Sequence, residues 1–184
     1  MPVRELTALD RGAYERHLLA LESEDRRLRF GTPAADSVVR AYVAGIDFER
    51  DALFGVFADD LTLIAAAHVA RSAEHAELGV SVLRGHRGRG YGSALLERAA
   101  LRARNWRRPK LFMHCLKENA TMMHLAKKQG MHVVADGCEA DAWLRLPQPD
   151  AASYFGEVFA QRVALFDFAL KALRAPLGAT GPSH

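Results

Sequence analysis

A glycine-rich turn between a predicted strand and a predicted helix is the part of the sequence best suited to chemistry. The strand runs from Ala76 to Leu83, the turn carries three glycines at alternate positions, and the helix opens at Tyr91. Glycines there allow backbone conformations closed to other residues and let a ligand approach without meeting a Cβ atom. The first N–H groups of a helix lack partners within it and lie at the positive end of its dipole. The stretch therefore predicts an anion site, most naturally for a pyrophosphate.

Two other phosphate-binding motifs fit this stretch poorly. A P-loop needs Gly-x-x-x-x-Gly-Lys followed by Ser or Thr, and the sequence has no such run. The residues Gly88, Gly90 and Ser93 match half of a dinucleotide fingerprint, which also needs an acidic residue about 20 positions further on. A basic stretch, residues 106–110, stands there instead. For the glycine spacing alone, an ordinary surface turn with solvated arginines remains an alternative.

Arg87, Gly90 and Gly92 resemble the signature of the GNAT superfamily of acyl-CoA-dependent N-acyltransferases. That signature is Arg or Gln, two residues, Gly, one residue, and Gly or Ala, between a strand and a helix. A second segment, residues 119–131, is similar to the family's Asn-x-x-Ala-x-x-Leu-Tyr-x-x-x-Gly-Phe. The resemblance covers about residues 53–147, and a weaker likeness at residues 23–31 is to bacterial relatives of protein-lysine acetyltransferases. The resemblance to the GNAT superfamily implies that acetyl-CoA is a co-substrate and that no metal is needed.

The resemblance also implies which residues hold acetyl-CoA. The backbone N–H groups of Val82 and Leu83 should serve the pantetheine arm and the thioester oxygen, and Asn119 should add a side-chain hydrogen bond. Polarising that oxygen stabilises a tetrahedral intermediate. The pyrophosphate should lie against the turn and the helix start, that is, Arg87, Gly88, Arg89, Gly90, Tyr91, Gly92 and Ser93.

Transfer to an amine needs a base, because the amine must lose a proton before it attacks a thioester. For a lysine-like amine at pH 7, holding the neutral form costs roughly 4.6 kcal/mol. Glu77 begins the strand that leads into the glycine turn, where many GNAT enzymes carry a catalytic glutamate. We therefore expect Glu77 to act as the general base. The alternative is a solvated glutamate at a strand end.

Hairpin pairing adds His68 to the candidate catalytic residues. If Arg71 pairs with Ala76 across the turn of residues 72–75, then His68, Glu77 and Ser81 share one face of the sheet. Glu77 and His68 are then diagonal neighbours within reach of each other, which predicts an acid–base pair. A core histidine bonded to the backbone is the alternative.

The tyrosine with which the family usually protonates the departing thiolate is replaced by Ala126. Either the thiolate leaves unassisted or is protonated by water, or the protein binds acyl-CoA without efficient turnover. A thiol pKa near 8.5 makes the thiolate a tolerable leaving group. His124 is about 200° round the predicted helix from that position and is a poor substitute. His114 and Cys115, on the neighbouring strand, are not chosen.

In GNAT folds the region between the first two helices walls the acceptor site. Glu24, Asp25 and Phe30 are therefore candidate substrate contacts, with solvated or packing roles as the alternative for each. The acceptor is a primary amine, on a small molecule or a protein lysine.

The order of elements predicts an α/β (α+β) chain with the GNAT fold. We expect a mixed, mostly antiparallel, twisted sheet of about six to seven strands flanked by helices, with Lys110–Leu116 parallel to Ala76–Leu83. Residues 23–31 read as a charged connection between helices. The predicted strands are residues 2–9, 52–58, 61–71, 76–83, 110–116, 131–135 and 142–146. Of the predicted helices, the first is capped by Asp10, the second by Asp36 or Ser37, the third spans 91–105, and the fourth runs from Asn119 or Thr121 to Gly130.

The predicted domain organisation is an acyl-CoA-binding domain (residues 1–147), a C-terminal helical extension (148–175) and a disordered tail (176–184). Apolar side chains recur in the extension at three- and four-residue steps, which is typical of an amphipathic helix. Its apolar face either folds back onto the domain or forms a homodimer or partner surface. These side chains are Phe155, Val158, Phe159, Val163, Phe166, Leu170 and Leu173.

Composition is ordinary for a globular protein, with 49% hydrophobic and 26% charged residues among 184. Two cysteines provide neither a disulfide framework nor metal-ligand spacing. Without a long apolar run or signal-peptide pattern, we expect a cytoplasmic bacterial protein that does not enter membranes. The net charge is +3, but the sequence has no basic run with interleaved aromatic residues. We therefore do not expect a nucleic-acid partner. A non-catalytic acyl-CoA-binding or regulatory module is the alternative function.

Overall fold

A computed structural model describes residues 1–174 of the chain. The disorder predicted for residues 176–184 lies outside the described residues. The strands are β1 Arg4–Leu6, β2 Ala52–Phe57, β3 Leu63–Arg71, β4 Ala76–Val82, β5 Lys110–Leu116, β6 His132–Asp136 and β7 Glu139–Arg145. The helices are α1 Arg11–Leu19, α2 Ser23–Phe30, α3 Asp36–Ala44, α4 Tyr91–Asn105, α5 Ala120–Lys128 and α6 Ala151–Arg174.

The strands form one seven-stranded sheet in the order β1-β2-β3-β4-β5-β7-β6. The β4–β5 pair is parallel, and the other neighbouring pairs are antiparallel. The predicted mixed, mostly antiparallel sheet flanked by helices is therefore confirmed. Apart from α2, the predicted elements agree with the observed ones to within about three residues.

Strands β4 and β5 separate soon after they meet. Their pairing is limited to Ala76 with Leu111 and Glu77 with Phe112, although β4 continues to Val82 and β5 to Leu116. Beyond Glu77, β4 and β5 no longer pair with each other. The sheet therefore opens into a wedge directly before the glycine turn.

Helices cover both faces of the sheet because the central strands carry apolar side chains on both faces. On one face, α4 packs Leu95, Leu96 and Ala99 against residues such as Val69 of β3 and Leu78 of β4. On the other face, α1 and α3 pack Tyr14, Leu18, Val39 and Val43 against Leu53, Leu63 and Ala66. The sheet is thus a rigid central layer on which both sides of the site are built.

The prediction for residues 23–31 was wrong, because Ser23–Phe30 forms helix α2 rather than a connection. Its charged residues support a helix: Glu24 and Arg27, three positions apart, form an ion pair of 2.7 Å. Gly31, with φ of 76°, ends the helix in the left-handed conformation. Other charged side chains of α2 pair with neighbouring segments, Arg26 with Asp36 and Asp25 with Arg87.

Two smaller expectations at the N-terminus also change. Strand β1 has three residues and gives way to a 3₁₀ turn, Ala8–Asp10. The Asp10 side chain does not cap α1. It accepts a hydrogen bond from Thr7 N at 2.9 Å and pairs with Arg4. Its carboxylate therefore closes the turn before the helix.

Helix α6 folds back onto the domain mainly through its polar side, with Ala164 buried and Phe168 packed edge-on against Phe57, their ring centroids 4.8 Å apart. Glu157 accepts hydrogen bonds from Asn105 Nδ2 at 2.6 Å and Arg98 Nη1 at 3.0 Å, and it also pairs with Arg102. Gln161 Oε1 accepts from the backbone of β1 at 2.9 Å. Buried hydrogen bonds and ion pairs thus fix the helix on α4 and β1.

The apolar side of α6 faces outward. Eight large apolar side chains of this helix are between 44% and 83% exposed, among them Phe155, Phe159 and Phe166. The periodicity identified the helix correctly, and of its two alternatives for the apolar face, packing onto the domain was wrong. Polar partners on α4, which no local pattern reveals, decide the orientation.

Candidate active site

A cleft of about 660 Å³ opens where β4 and β5 separate. The glycine turn and α5 border it on one side, and α2 and α3 on the other. Most of the predicted site residues meet there, whereas Leu83, Arg89 and Glu24 do not line it. Those that do are Asp25, Phe30, His68, Glu77, Val82, Arg87, Gly88, Gly90, Tyr91, Gly92, Ser93 and Asn119.

The hydrogen-bond ladder decides which N–H groups of β4 point into the wedge. Leu83 N donates to Ile64 O at 2.9 Å, so Leu83 is committed to β3. Because hydrogen-bonding direction alternates along an antiparallel strand, Val80 and Val82 direct their N–H groups toward β5. The expectation for Val82 fits this geometry. The N–H group of Leu83 is not available as expected because β3 takes it, whereas that of Val80 points toward β5.

The glycine turn has the backbone conformation that the sequence required. Gly88 and Gly90 have φ of 75° and 83°, in the left-handed region that other residues rarely adopt. The first backbone bond of α4 is donated by Ala94 to Gly90 O at 3.1 Å. Helix geometry therefore leaves the N–H groups of residues 91–93 without a partner inside α4, at its positive end. These groups line the cleft and form an anion seat.

Two arginines of the turn are tied to helix α2. Arg87 Nη2 lies 2.5 Å from Asp25 Oδ2, and its Nε donates to Val82 O at 3.2 Å. Arg84 Nη1 lies 2.6 Å from Glu22 Oε2. Arg89 is exposed and lies outside the cleft. The acids of α2 thus hold the basic turn against the helix across the cleft.

Asn119 is used first of all to build helix α5. Its Oδ1 accepts a hydrogen bond from Met122 N at 3.1 Å, and the residue is buried. An asparagine at the N-cap stabilises a helix in this way. Its NH₂ group is not used in this cap and is left for the predicted bond to a cofactor.

The predicted pairing of β3 with β4 is confirmed residue by residue. Arg71 pairs with Ala76, Ala70 with Glu77, and His68 with Gly79. Glu77 and His68 consequently share the face that lines the cleft, with Glu77 exposed and His68 buried. Within residues 1–174, however, no hydrogen bond joins their side chains. The two residues are therefore neighbours without a direct hydrogen bond, and the charge of Glu77 acts to raise the pKa of His68 against the effect of burial.

His68 instead belongs to a chain of hydrogen bonds that the sequence analysis missed. Its Nε2 lies 3.1 Å from Asp51 Oδ2, and its Nδ1 lies 2.5 Å from Tyr42 Oη. Tyr42 Oη also accepts from Arg29 Nη2 at 3.0 Å. Burial lowers the pKa of His68, although the bond to Asp51 opposes this. These four residues come from α2, α3, the start of β2 and β3, so no spacing in the sequence points to them.

Ser81, the third residue predicted on this face, is held by a buried histidine of α1. His17 Nε2 lies 2.8 Å from Ser81 Oγ, and His17 Nδ1 lies 2.8 Å from Leu63 O. Because a carbonyl only accepts, Nδ1 carries the proton and Nε2 accepts from the hydroxyl. Burial lowers the pKa of His17 to about 4. A neutral histidine therefore joins α1 to β3 and β4 beneath the cleft.

The geometry of α5 changes the view of the missing tyrosine. Ala126 is fully buried in the core and does not line the cleft, whereas His124 does. The helical-wheel argument against His124 is therefore not supported. His114 of β5 also lines the cleft, and its 2.7 Å hydrogen bond to Asp141 raises its pKa. Burial raises the pKa of Cys115, which favours its thiol form.

The three candidate acceptor contacts have different surroundings. Phe30 lines the cleft and packs edge-on against Tyr42, with ring centroids 5.2 Å apart. Asp25 lines it while paired with Arg87. Glu24 is exposed, pairs with Arg27 and lies outside the cleft. Phe30 and Asp25 stay candidates, whereas Glu24 does not reach the site.

Residues 1–174 contain neither a cluster of metal ligands nor a membrane-spanning helix. No three His, Cys, Asp or Glu side chains in that range are placed to hold a metal ion. None of the helices described there is both long and apolar enough to span a membrane.

Comparison with known families identifies the fold. A family model described as the acetyltransferase (GNAT) family matches residues 15–131. The chain belongs to the GNAT family. Its membership confirms the resemblance seen in the glycine turn and the Asn119 segment. It also confirms the predicted class of enzyme, an acyl-CoA-dependent N-acyltransferase. No curated protein matches the chain by sequence.

Solved structures share the fold at low sequence identity. The GNAT domain of S. lividans PAT is 22% identical with a TM-score of 0.68, covering 78% of this chain and 89% of its own. Vibrio cholerae spermidine N-acetyltransferase, solved with CoA and spermine, is 17% identical with a TM-score of 0.60, covering 78% and 94%. A Salmonella typhimurium protein solved with its cofactor acetyl-CoA is 18% identical with a TM-score of 0.60, covering 81% and 97%. The predicted GNAT fold is confirmed.

Proposed function

We propose that this GNAT protein transfers an acetyl group from acetyl-CoA to a primary amine by direct attack, with Glu77 as the general base. The observation that carries the proposal is the continuity of one cleft. Its wedge exposes the N–H groups of Val80 and Val82, its turn exposes those of residues 91–93, and Glu77 lines its other side. Structural relatives solved with CoA or acetyl-CoA support the choice of donor.

The cofactor would lie along main-chain atoms. Its pyrophosphate would accept from the N–H groups at the start of α4, and its pantetheine arm would pair with the free edge of β4 in place of β5. The N–H groups of Val80 and Val82 are then available to the arm and to the thioester oxygen. Hydrogen bonds to that oxygen are worth most when its charge develops in the tetrahedral intermediate.

Glu77 would remove the proton that keeps the amine unreactive. It is exposed at the mouth of the cleft, so it can accept that proton directly or through a water molecule and return it to solvent. The thiolate leaves with its ordinary thiol pKa near 8.5 and needs no dedicated acid to depart. His114 lines the cleft on the opposite wall of the wedge. Its hydrogen bond to Asp141 raises its pKa, which favours the protonated form.

The test combines calorimetric titration with acetyl-CoA and an assay of thiol release against a panel of primary amines. Glu77→Gln should lower kcat/KM by about 10²- to 10⁴-fold, the usual contribution of a general base, while the affinity for CoA stays unchanged. Glu74→Gln, in the turn outside the cleft, is the matched control and should behave like the wild type. Absence of CoA binding would overturn the proposal, and equal activity of Glu77→Gln would remove Glu77 from the mechanism.

We further propose that two copies of the chain pair through the outer face of α6. Apolar patches beyond about 600 Å² are rare on monomers. The eight exposed side chains amount to roughly 800 Å², taking about 200 Å² for an exposed aromatic side chain. That area is what one partner of a standard interface buries. A second copy supplies an equally long apolar face, about 36 Å for 24 residues.

Sedimentation measurements test the pairing. The wild type should have twice the chain mass of 20.3 kDa, whereas Phe159→Glu and Phe166→Glu should be monomeric and keep their fold. Val134→Glu places a charge at an equally exposed apolar position on β6 and should leave the dimer intact. A wild type that is monomeric at all concentrations would exclude the dimer.

A further inference from the structure

Arg29 places a guanidinium in the cleft without a carboxylate beside it. Its Nη2 donates to Tyr42 Oη at 3.0 Å, and its Nε is buried without an acceptor among residues 1–174. In the same range, the hydroxyl groups of Tyr14 and Tyr42 are the polar groups that interact with the guanidinium of Arg29. A guanidinium stays protonated in proteins, and buried charges are ordinarily paired. Arg29 is therefore a cation for which the described chain supplies no counter-ion.

The chain of hydrogen bonds behind Arg29 fixes its position. Asp51 accepts from Arg71 N at 3.1 Å and is acceptor-only when ionised, so His68 Nε2 must donate to it. His68 Nδ1 is then an acceptor, and the single hydrogen of the Tyr42 hydroxyl points to it. The lone pairs of Tyr42 are left for Arg29. One end of the guanidinium is thus held, and the rest of its hydrogens are free of protein carboxylates.

The main chain of β4 also shapes this place. A Cβ atom on Gly79 would come within 2.2 Å of Arg29 Nη2, so the guanidinium lies directly on the strand. A side chain at this position would displace the guanidinium from the strand. Gly79 thus permits the close approach of Arg29 to the main chain.

The histidines around Arg29 do not offset its charge. Burial lowers the pKa of His17 and of His68, and the charge of Arg29 lowers both further. Both rings are therefore neutral near pH 7. The acids of α2 are engaged elsewhere, Asp25 with Arg87 and Glu24 with Arg27. The acceptor side of the cleft consequently combines one fixed positive charge with the negative charge of Glu77.

We propose that Arg29 binds a carboxylate carried by one of the two substrates, in the first place that of an amine such as a free amino acid. This inference rests on the proposed function. Glu77 and Gly79 are two residues apart on one face of β4, which separates base and guanidinium by about 7 Å along the strand. The ammonium and carboxylate of an amino acid can bridge such a pair of opposite charges. Arginine suits this role because its planar fork matches a carboxylate.

The same subsite can receive a carboxylate from the other substrate. An acyl-CoA whose acyl group ends in a carboxylate, such as succinyl-CoA, would place that group near Gly79 once its thioester lies in the wedge. The chemistry at Arg29 is the same in both cases. The two sources differ in whether the acceptor or the donor must be charged, and the assay can separate them.

The test compares matched substrates. With acetyl-CoA as donor, a panel of free amino acids is set against the corresponding amino acid amides. With the amides as acceptors, succinyl-CoA is set against acetyl-CoA. We expect the carboxylate-bearing member of one comparison to have about 10- to 100-fold higher kcat/KM, as one charge-assisted pair provides. Because an amide lowers the basicity of the neighbouring amine, intrinsic reactivity near pH 7 favours the amides and cannot produce this preference.

Arg29→Gln should abolish the preference, so that the carboxylate-bearing and carboxylate-free members of each pair react with equal kcat/KM. Tyr42→Phe, which removes the hydroxyl that holds the guanidinium, should weaken the preference mainly through KM. Arg40→Gln, an arginine with a 55% exposed side chain on α3, is the matched control and should retain it. Calorimetry with CoA verifies that each variant is folded. Calorimetry of wild type and Arg29→Gln with an N-acetylamino acid and its amide gives a readout that does not depend on turnover.

The outcomes separate this inference from the proposed function. If amines are acetylated and carboxylate-bearing substrates have no advantage, the subsite at Arg29 is excluded while the acetyltransferase assignment stands. If CoA does not bind, the function itself fails. If the advantage persists in Arg29→Gln, another group binds the carboxylate and Arg29 is a structural residue.

Discussion

The two sides of the cleft are built in different ways. The cofactor side consists of main-chain N–H groups from one continuous stretch, β4 through the start of α4, with glycines that keep side chains out of the way. The acceptor side consists of side chains from α2, α3, β2 and β3 that meet only in the folded protein. A site made of backbone can be recognised from a short motif, whereas a site made of side chains depends on distant packing. The first side should therefore be shared by the whole family, and the second should set the specificity of this chain.

The largest expected effect is the loss of stability in acid through His17, which lies beneath both sides of the cleft. His17 has a pKa of about 4 when folded and about 6.5 when unfolded, so below pH 6.5 the unfolded state binds more protons. Stability is then lost as the pH falls from 6.5 toward 4, by up to roughly 3 kcal/mol. Urea unfolding at a series of pH values measures this loss.

The matching variant is His17→Gln, which removes the titrating group. It should be less stable than wild type at pH 7.5 but should lose less stability between pH 6.5 and 4. An identical pH dependence in both proteins would show that other groups control acid unfolding.

On the cofactor side, Gly90→Val should weaken CoA binding. Gly90 has φ of 83° in open space, so the change introduces backbone strain and no clash. For a β-branched residue the strain is about 2 kcal/mol, which corresponds to roughly 30-fold in affinity if the turn relaxes away from its binding conformation. Calorimetry with CoA measures it. The control is Gly85→Val, also in open space but without a positive φ. Equal losses in both variants would contradict the strain argument.

The smallest expected effect concerns the link between the two sides. The Arg87–Asp25 pair joins the turn to α2, and its side chains are 40% and 15% exposed. A double-mutant cycle with Arg87→Gln and Asp25→Asn should give a coupling in unfolding free energy of about 0.2–1 kcal/mol. The same cycle on CoA affinity tests whether phosphate competes with Asp25 for Arg87. Full additivity in both measurements would show that the two sides are energetically independent.

This contrast also explains what could be predicted from the sequence. Helix α4 was placed to the residue, and the register of β3 on β4 followed from a four-residue turn, because both depend on nearby residues. Leu83 was assigned to the ligand because a strand end does not reveal which neighbour takes its N–H. His68 was found, but its partners Tyr42 and Asp51 were not, since they lie 26 and 17 residues away on other elements. Charge density hid helix α2, and with it Arg29.

The inward-facing polar side of α6 has a consequence for where the protein can be divided. Arg98 is 5% exposed, and its carboxylate partner is Glu157, beyond the boundary that the sequence suggested at Pro147. A chain ending there would leave Arg98 and Asn105 of α4 without their counterparts in the interior. Removing one member of a buried ion pair typically costs 3–5 kcal/mol. The C-terminal helix is thus part of the folded domain that carries the site. A protein that ends at Pro147 would lose activity because it is less stable, and not because it lacks a residue of the site.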